Sequence, residues 1–126
     1  MHKAIVLAGI ALSAASAPAF SQTCTGNCGT GSPNGVVTAP PGGGNYQYVS
    51  TNGGANGAGQ ISTVGGTNGS EYITAPFAAS ANDALNFNFN YVTSDGAGFS
   101  DYGFAELLVG GTHAAWLFTA PHPAER

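Results

Sequence analysis

Between residues 84 and 92 apolar and polar side chains alternate without a break: Leu85, Phe87, Phe89 and Tyr91 in one set, Asn86, Asn88 and Asn90 in the other. A repeat of two places the sets on opposite faces of a strand, and no helix would sort them so cleanly. Beyond the glycine-rich run Asp95-Gly96-Ala97-Gly98-Phe99-Ser100-Asp101 a second apolar stretch follows, Tyr102 to Val109, so residues 84–109 read as one long β-hairpin. Burying Leu85, Phe87, Phe89 and Tyr91 would contribute roughly 6–12 kcal/mol before chain entropy, at about 1.5–3 kcal/mol per large apolar side chain. That would make residues 85–91 a core strand, with the asparagines facing solvent or forming cross-strand pairs.

The rest of the chain has the same grain. Residues 46–50 (Tyr-Gln-Tyr-Val-Ser), 60–64, 71–74 and 114–119 carry the aromatic and β-branched content of strands, and Val36-Val37 is a further short candidate. Between them Asn52-Gly53, Asn68-Gly69 and Gly110-Gly111 are turn signals, with His113 expected beside the last as a turn residue. Six or seven strands and no helix beyond the N-terminal leader predict an all-β, antiparallel β-sandwich of jelly-roll type.

The first residues follow a different rule. Met1-His2-Lys3 and an apolar run of small and aliphatic residues from Ala4 to Ala17, leaving through Ser-Ala-Pro-Ala-Phe-Ser, have the layout of an export signal cleaved after Ala19 or Ser21. The run is shorter than the about 20 residues of a membrane span. The chain therefore divides into a signal peptide (1–21), a Gly/Pro-rich lead-in (22–45), a β-sandwich domain (46–119) and an irregular tail (120–126), with no membrane span once the signal is removed. Export favours oxidation, so Cys24 and Cys28 are expected to close a small disulfide loop; two cysteines alone cannot make a zinc site, and three intervening residues do not fit a redox pair.

Charge narrows the partners. The chain has 2 Lys and Arg against 6 Asp and Glu, and only 6% of its residues are charged. With Lys3 in the leader and Arg126 at the end, the domain lacks the cations that nucleic acid or an anionic lipid surface would require. A polar, uncharged partner fits better. The loop acids Asp95 and Asp101 are candidate calcium ligands, because glycines between them let backbone carbonyls turn inward; the bland alternative is a turn in which they hold loop amides. Calcium is the one cofactor this pattern admits. The same acids with Glu106 would serve a glycosidase only in a deep cleft. There is no nucleophile elbow, zinc helix or phosphate loop, and no enzyme activity is expected. Trp116, Tyr46, Tyr48, Tyr72 and Tyr102 are flat faces for sugar stacking if exposed and core residues if not.

The segment Phe-Asn-Phe-Asn-Tyr-Val-Thr-Ser-Asp-Gly-Ala-Gly-Phe-Ser-Asp-Tyr, the following Ala-Glu-Leu-Leu and the later Trp-Leu-Phe-Thr resemble a family of exported bacterial proteins that carry a PEP-CTERM sorting signal. Thr-Cys-Thr-Gly-Asn-Cys-Gly, Tyr-Gln-Tyr-Val-Ser-Thr-Asn-Gly-Gly and Gly-Gly-Thr-Asn-Gly-Ser are similar to its N-terminal part, so the likeness runs from about Cys24 to Thr119. The resemblance implies a secreted β-sandwich, sorted to the surface of a Gram-negative bacterium by the exosortase route and associated with extracellular polysaccharide or biofilm, and it brings no catalytic or binding residues. This chain departs from the family pattern in having no Pro-Glu-Pro motif, no C-terminal apolar helix and no basic tail. The departure leads us to expect a truncated or frameshifted product whose sandwich is incomplete at the C-terminus. Three functions follow in order: a carbohydrate-associated surface protein, a structural matrix protein without a small ligand, and last a hydrolase.

Overall fold

The computed structural model describes residues 22–94 and 101–120, together with the backbone of residues 2–7. The strands are β1 (His2–Leu7), β2 (Thr23–Thr25), β3 (Asn27–Gly31), β4 (Tyr46–Ser50), β5 (Ala55–Asn56), β6 (Asn68–Gly69), β7 (Glu71–Ile73), β8 (Tyr102–Val109) and β9 (Thr112–Ala120). Among the described residues there is no helix. The strands form a five-stranded sheet in the order β2-β7-β1-β8-β9 and two two-stranded sheets, β3-β4 and β5-β6.

The all-β expectation holds, and β4 occupies the predicted residues 46–50. Pairing is antiparallel except at β1, which runs parallel to both β7 and β8. Residues read from the sequence as part of an export signal are thus the middle strand of the largest sheet. The two descriptions share a cause, since an apolar run without charges beyond Lys3 suits both a leader and a central strand of a sheet.

The hairpin predicted over residues 84–109 is not the one that forms. Residues 83–94 belong to no strand; β8 turns back through Gly110 and Gly111, both at positive φ, and pairs with β9 instead. Leu85 is 45% exposed and Phe89 55%, so the burial expected for that segment is absent. A period of two specifies which side chains point together but names no hydrogen-bonding partner. Here the alternation is used by stacking: Phe87 and Phe89 both meet Phe118 of β9, with ring centroids 5.9 and 4.0 Å apart.

Three further expectations change for the same kind of reason. Residues 60–64 are a turn, in which the Ile61 carbonyl accepts the amides of Val64 and Gly65, and Asn68-Gly69, read as a turn, is strand β6 paired with β5. Val36-Val37 is a bend, closed by the Asn34 carboxamide oxygen accepting both valine amides. The Asn52-Gly53 turn forms as read, with the Gly54 amide bonded to the Thr51 carbonyl.

The core is small. Ile61, Tyr102 and Phe104 make its buried cluster, with Val64, Ile73 and Leu108 packed against it. The Tyr102 hydroxyl ties the turn to the sheet by accepting the Ile61 amide at 2.9 Å and donating to the Gly65 carbonyl at 2.8 Å. The disulfide Cys24–Cys28 forms as the sequence predicts, and it links β2 of the large sheet to β3 of the next. Closing so short a loop is worth roughly 2 kcal/mol.

Candidate functional site

The two residue sets of the 84–92 alternation reach a cleft. Its walls are the bend at 37–41, β4, residues 87–92 and the Phe118 side of the β8-β9 hairpin, and its volume is about 410 Å³. Phe89 lies nearly parallel to Phe118, the planes 5° apart, and forms an aromatic floor that is more than half open to solvent. Asn88, Asn90 and Gln47 bring amide groups to the same space, and Pro40 and Pro41 close it with apolar surface. None of the lining residues is charged.

Why β4 can stand at this wall is legible in its pairing. Tyr46 and Tyr48 lie directly opposite Gly31 and Gly29 of β3. A Cβ added at Gly31 would come within 2.6 Å of the Tyr46 ring, and one at Gly29 within 3.0 Å of the Tyr48 ring. The tyrosines therefore cover the glycines' bare backbone, an arrangement that pins register. It leaves the alternate positions, Gln47 and Val49, for the opposite face, where Val49 is buried.

Of the predicted acids, Asp101 is not drawn together with Glu106. Asp95 lies outside the described residues. Asp101 stands immediately before β8, where its backbone carbonyl accepts the Tyr91 hydroxyl at 2.9 Å. Glu106 is five residues further along the strand, roughly 16 Å at about 3.3 Å per residue and on the other face, well beyond the separations of a glycosidase pair. Among the described residues, no three His, Cys, Asp or Glu side chains gather as a metal centre would need.

Glu106 has a different partner. His113, expected in a turn, is in β9, and its Nδ1 lies 2.5 Å from Glu106 Oε2. The contact requires the proton on Nδ1, since a carboxylate can only accept. On the same face is Glu71 of β7, whose carboxyl titrates above the ordinary range because burial disfavours its charge and repulsion from Glu106 adds to the effect. A carboxyl with a raised folded value binds its proton more tightly folded than unfolded, so its contribution to stability is greatest at low pH and is lost as pH rises from the unfolded value through the raised one. Glu71→Gln is expected to raise stability at neutral pH and to flatten this part of the profile, checked by denaturant midpoints measured from pH 4 to 8; a parallel profile in the variant would refute the assignment.

No family model matches this chain, and neither a curated protein nor a solved structure does.

Proposed function

We propose that the protein is an exported or surface-held β-sandwich module associated with extracellular polysaccharide, and that the cleft beside Phe89 takes a neutral sugar segment. One observation carries the reading: an open aromatic floor bordered by amide side chains, with no charge in its lining. Pyranose rings present apolar C–H faces and a rim of hydroxyls, which match an exposed ring plane and neutral donors and acceptors. An anionic polymer finds nothing here to neutralise it.

The sandwich itself is part of this proposal. It is supported by the β3-β4 pair lying over β1 of the larger sheet, with Val49 of β4 buried, and by a disulfide that joins the two layers. The family resemblance supports the surface location. On the export reading residues 1–21 leave with the signal, and the edges of β7 and β8 that β1 occupies become available to each other or to another strand. N-terminal sequencing of the secreted protein tests this: a start at Phe20 or Gln22 supports cleavage after Ala19 or Ser21, and a start at Met1 refutes it.

The cleft is tested by calorimetry with neutral oligosaccharides on the folded protein. Phe89→Ala is expected to weaken binding by about three- to tenfold, the value of one aromatic stacking contact, with little loss of stability because the ring is 55% exposed. Unchanged affinity in the variant, or no binding by any neutral glycan, would overturn the reading.

A further inference from the structure

Trp116 stands apart from this cleft, although it is only two residues from Phe118, whose ring helps to build it. In a regular strand residues two apart share a face. The β8-β9 register breaks that rule twice: Ala105 pairs with Phe118 but Glu106 with Trp116, and Leu107 pairs with Ala115 but Leu108 with His113. Leu117 and Ala114 are the extra residues of two bulges. Between them they turn Trp116 and His113, three apart in sequence, onto the face of Phe104 and Glu106, and leave Phe118 on the other. Bulges that re-aim side chains are devices found next to functional sites.

The result is a second cluster near the hairpin tip. His113 lies against Trp116 with ring centroids 4.4 Å apart, Trp116 meets Phe104 edge-on at 5.5 Å, and His113 holds Glu106 by its Oε2. Packing against Phe104 fixes the indole on its inner side, yet Trp116 remains 47% exposed. Glu106 is mostly covered, its side chain 17% exposed against 42% for His113. An indole face therefore stands beside a carboxylate whose orientation a histidine has set. Glu71 of β7, level with Phe104 across β1, adds a second acid to this face.

We propose that Trp116, Glu106 and His113 form a binding site for an amine-bearing sugar, of the 2-amino-2-deoxyhexose class. The pyranose ring stacks on the open indole face, its ammonium group bonds to Glu106 Oε1, and His113 orients the carboxylate. The indole also attracts the ammonium through its ring quadrupole. The charge preference comes from this cluster's own geometry, whereas the choice of a sugar as carrier rests on the polysaccharide reading above. The site differs from the cleft in the sign of its surroundings: acidic here, uncharged there.

Trp116 is the only tryptophan of the chain, so intrinsic fluorescence reports on this site alone. Titrating the full chain with a glucosamine oligomer is expected to give a saturable change, with the N-acetylated oligomer of equal length at least tenfold weaker. Glu106→Gln keeps the side chain's shape and removes its charge, and it should weaken the glucosamine oligomer about tenfold or more, as loss of one hydrogen bond to a charged group predicts. A circular dichroism spectrum matching the wild type confirms that this variant is folded; if it is not, high salt on the wild type replaces it and should weaken binding in the same direction. The absence of a saturable change, equal affinity for the two oligomers, or indifference to both Glu106→Gln and salt would each overturn the proposal. Because Trp116, Glu106 and His113 are not among the residues that line the cleft, Phe89→Ala should leave the fluorescence titration unchanged, so either site can fail without the other.

Discussion

Phe104→Ala is expected to destabilise the protein by about 3–5 kcal/mol, the cost of deleting a buried phenylalanine ring and leaving a cavity. Phe104 is 2% exposed and is the contact between the core and the hairpin face: it lies beside Tyr102, edge-on to Trp116, and in one cluster with Ile61. Few other side chains can take over, because Val49, Ile61, Tyr102, Phe104 and Ala105 make up the buried apolar set among the described residues. Domains of this size are stable by about 5–15 kcal/mol in all, so the variant should lose about a fifth or more of its stability. Urea denaturation followed by Trp116 fluorescence would show the midpoint falling with little change in slope. A loss below about 1 kcal/mol would mean that the cluster around Phe104 is not the core.

Ser70→Ala is expected to cost about 2–6 kcal/mol while removing a single oxygen. Ser70 is fully buried. Its hydroxyl accepts the Asn27 amide at 2.8 Å and donates to the Ser50 carbonyl at 2.5 Å. It thus joins the start of β3 and the end of β4 to the chain between β6 and β7, and alanine would leave both backbone groups unpaired at about 1–3 kcal/mol each. The surroundings allow no compensating shift. A Cβ at Gly54 would come within 2.7 Å of the Gly69 carbonyl oxygen, and Gly26, at φ +86°, packs against Ser70 itself. Thermal unfolding of Ser70→Ala beside Ser62→Ala, an exposed turn serine, measures the effect; equal melting temperatures in the two variants would show that the Ser70 bonds contribute nothing net. Ser70→Thr retains the hydroxyl but adds a methyl group to this crowded site, so it is not expected to restore stability.

Much of the chain's plan was legible because it is local. Tyr46 to Ser50, Tyr102 to Val109 and Thr112 to Ala120 carry their own strand content, two glycines between the last pair mark their turn, and the disulfide joins cysteines too close in sequence to find other partners. Residues 60–64 misled because Ile61 and Val64 are apolar for a different reason: they pack on Tyr102 and Phe104 from a turn. Asn68-Gly69 misled because turn chemistry describes what a dipeptide tolerates, and a two-residue strand tolerates it too. Of the candidate site, sequence named Trp116, His113 and Glu106 singly but gave no sign that they meet. Their meeting depends on two bulges, and a bulge is defined only by the strand opposite.

Sequence by itself determined the all-β class, the scarcity of cations, the disulfide, and the aromatic-amide alternation of residues 85–91. These are properties of composition and of near neighbours. Only the tertiary structure decided what that alternation is for: its rings stack on Phe118 at the edge of a cleft instead of filling a core. It also decided that β9, and not residues 85–91, is the partner of β8, and that Trp116 and Phe118 face opposite ways. The physical reason is the same in each case. Period and propensity govern how one strand arranges its side chains, whereas pairing, register and exposure belong to two strands at once.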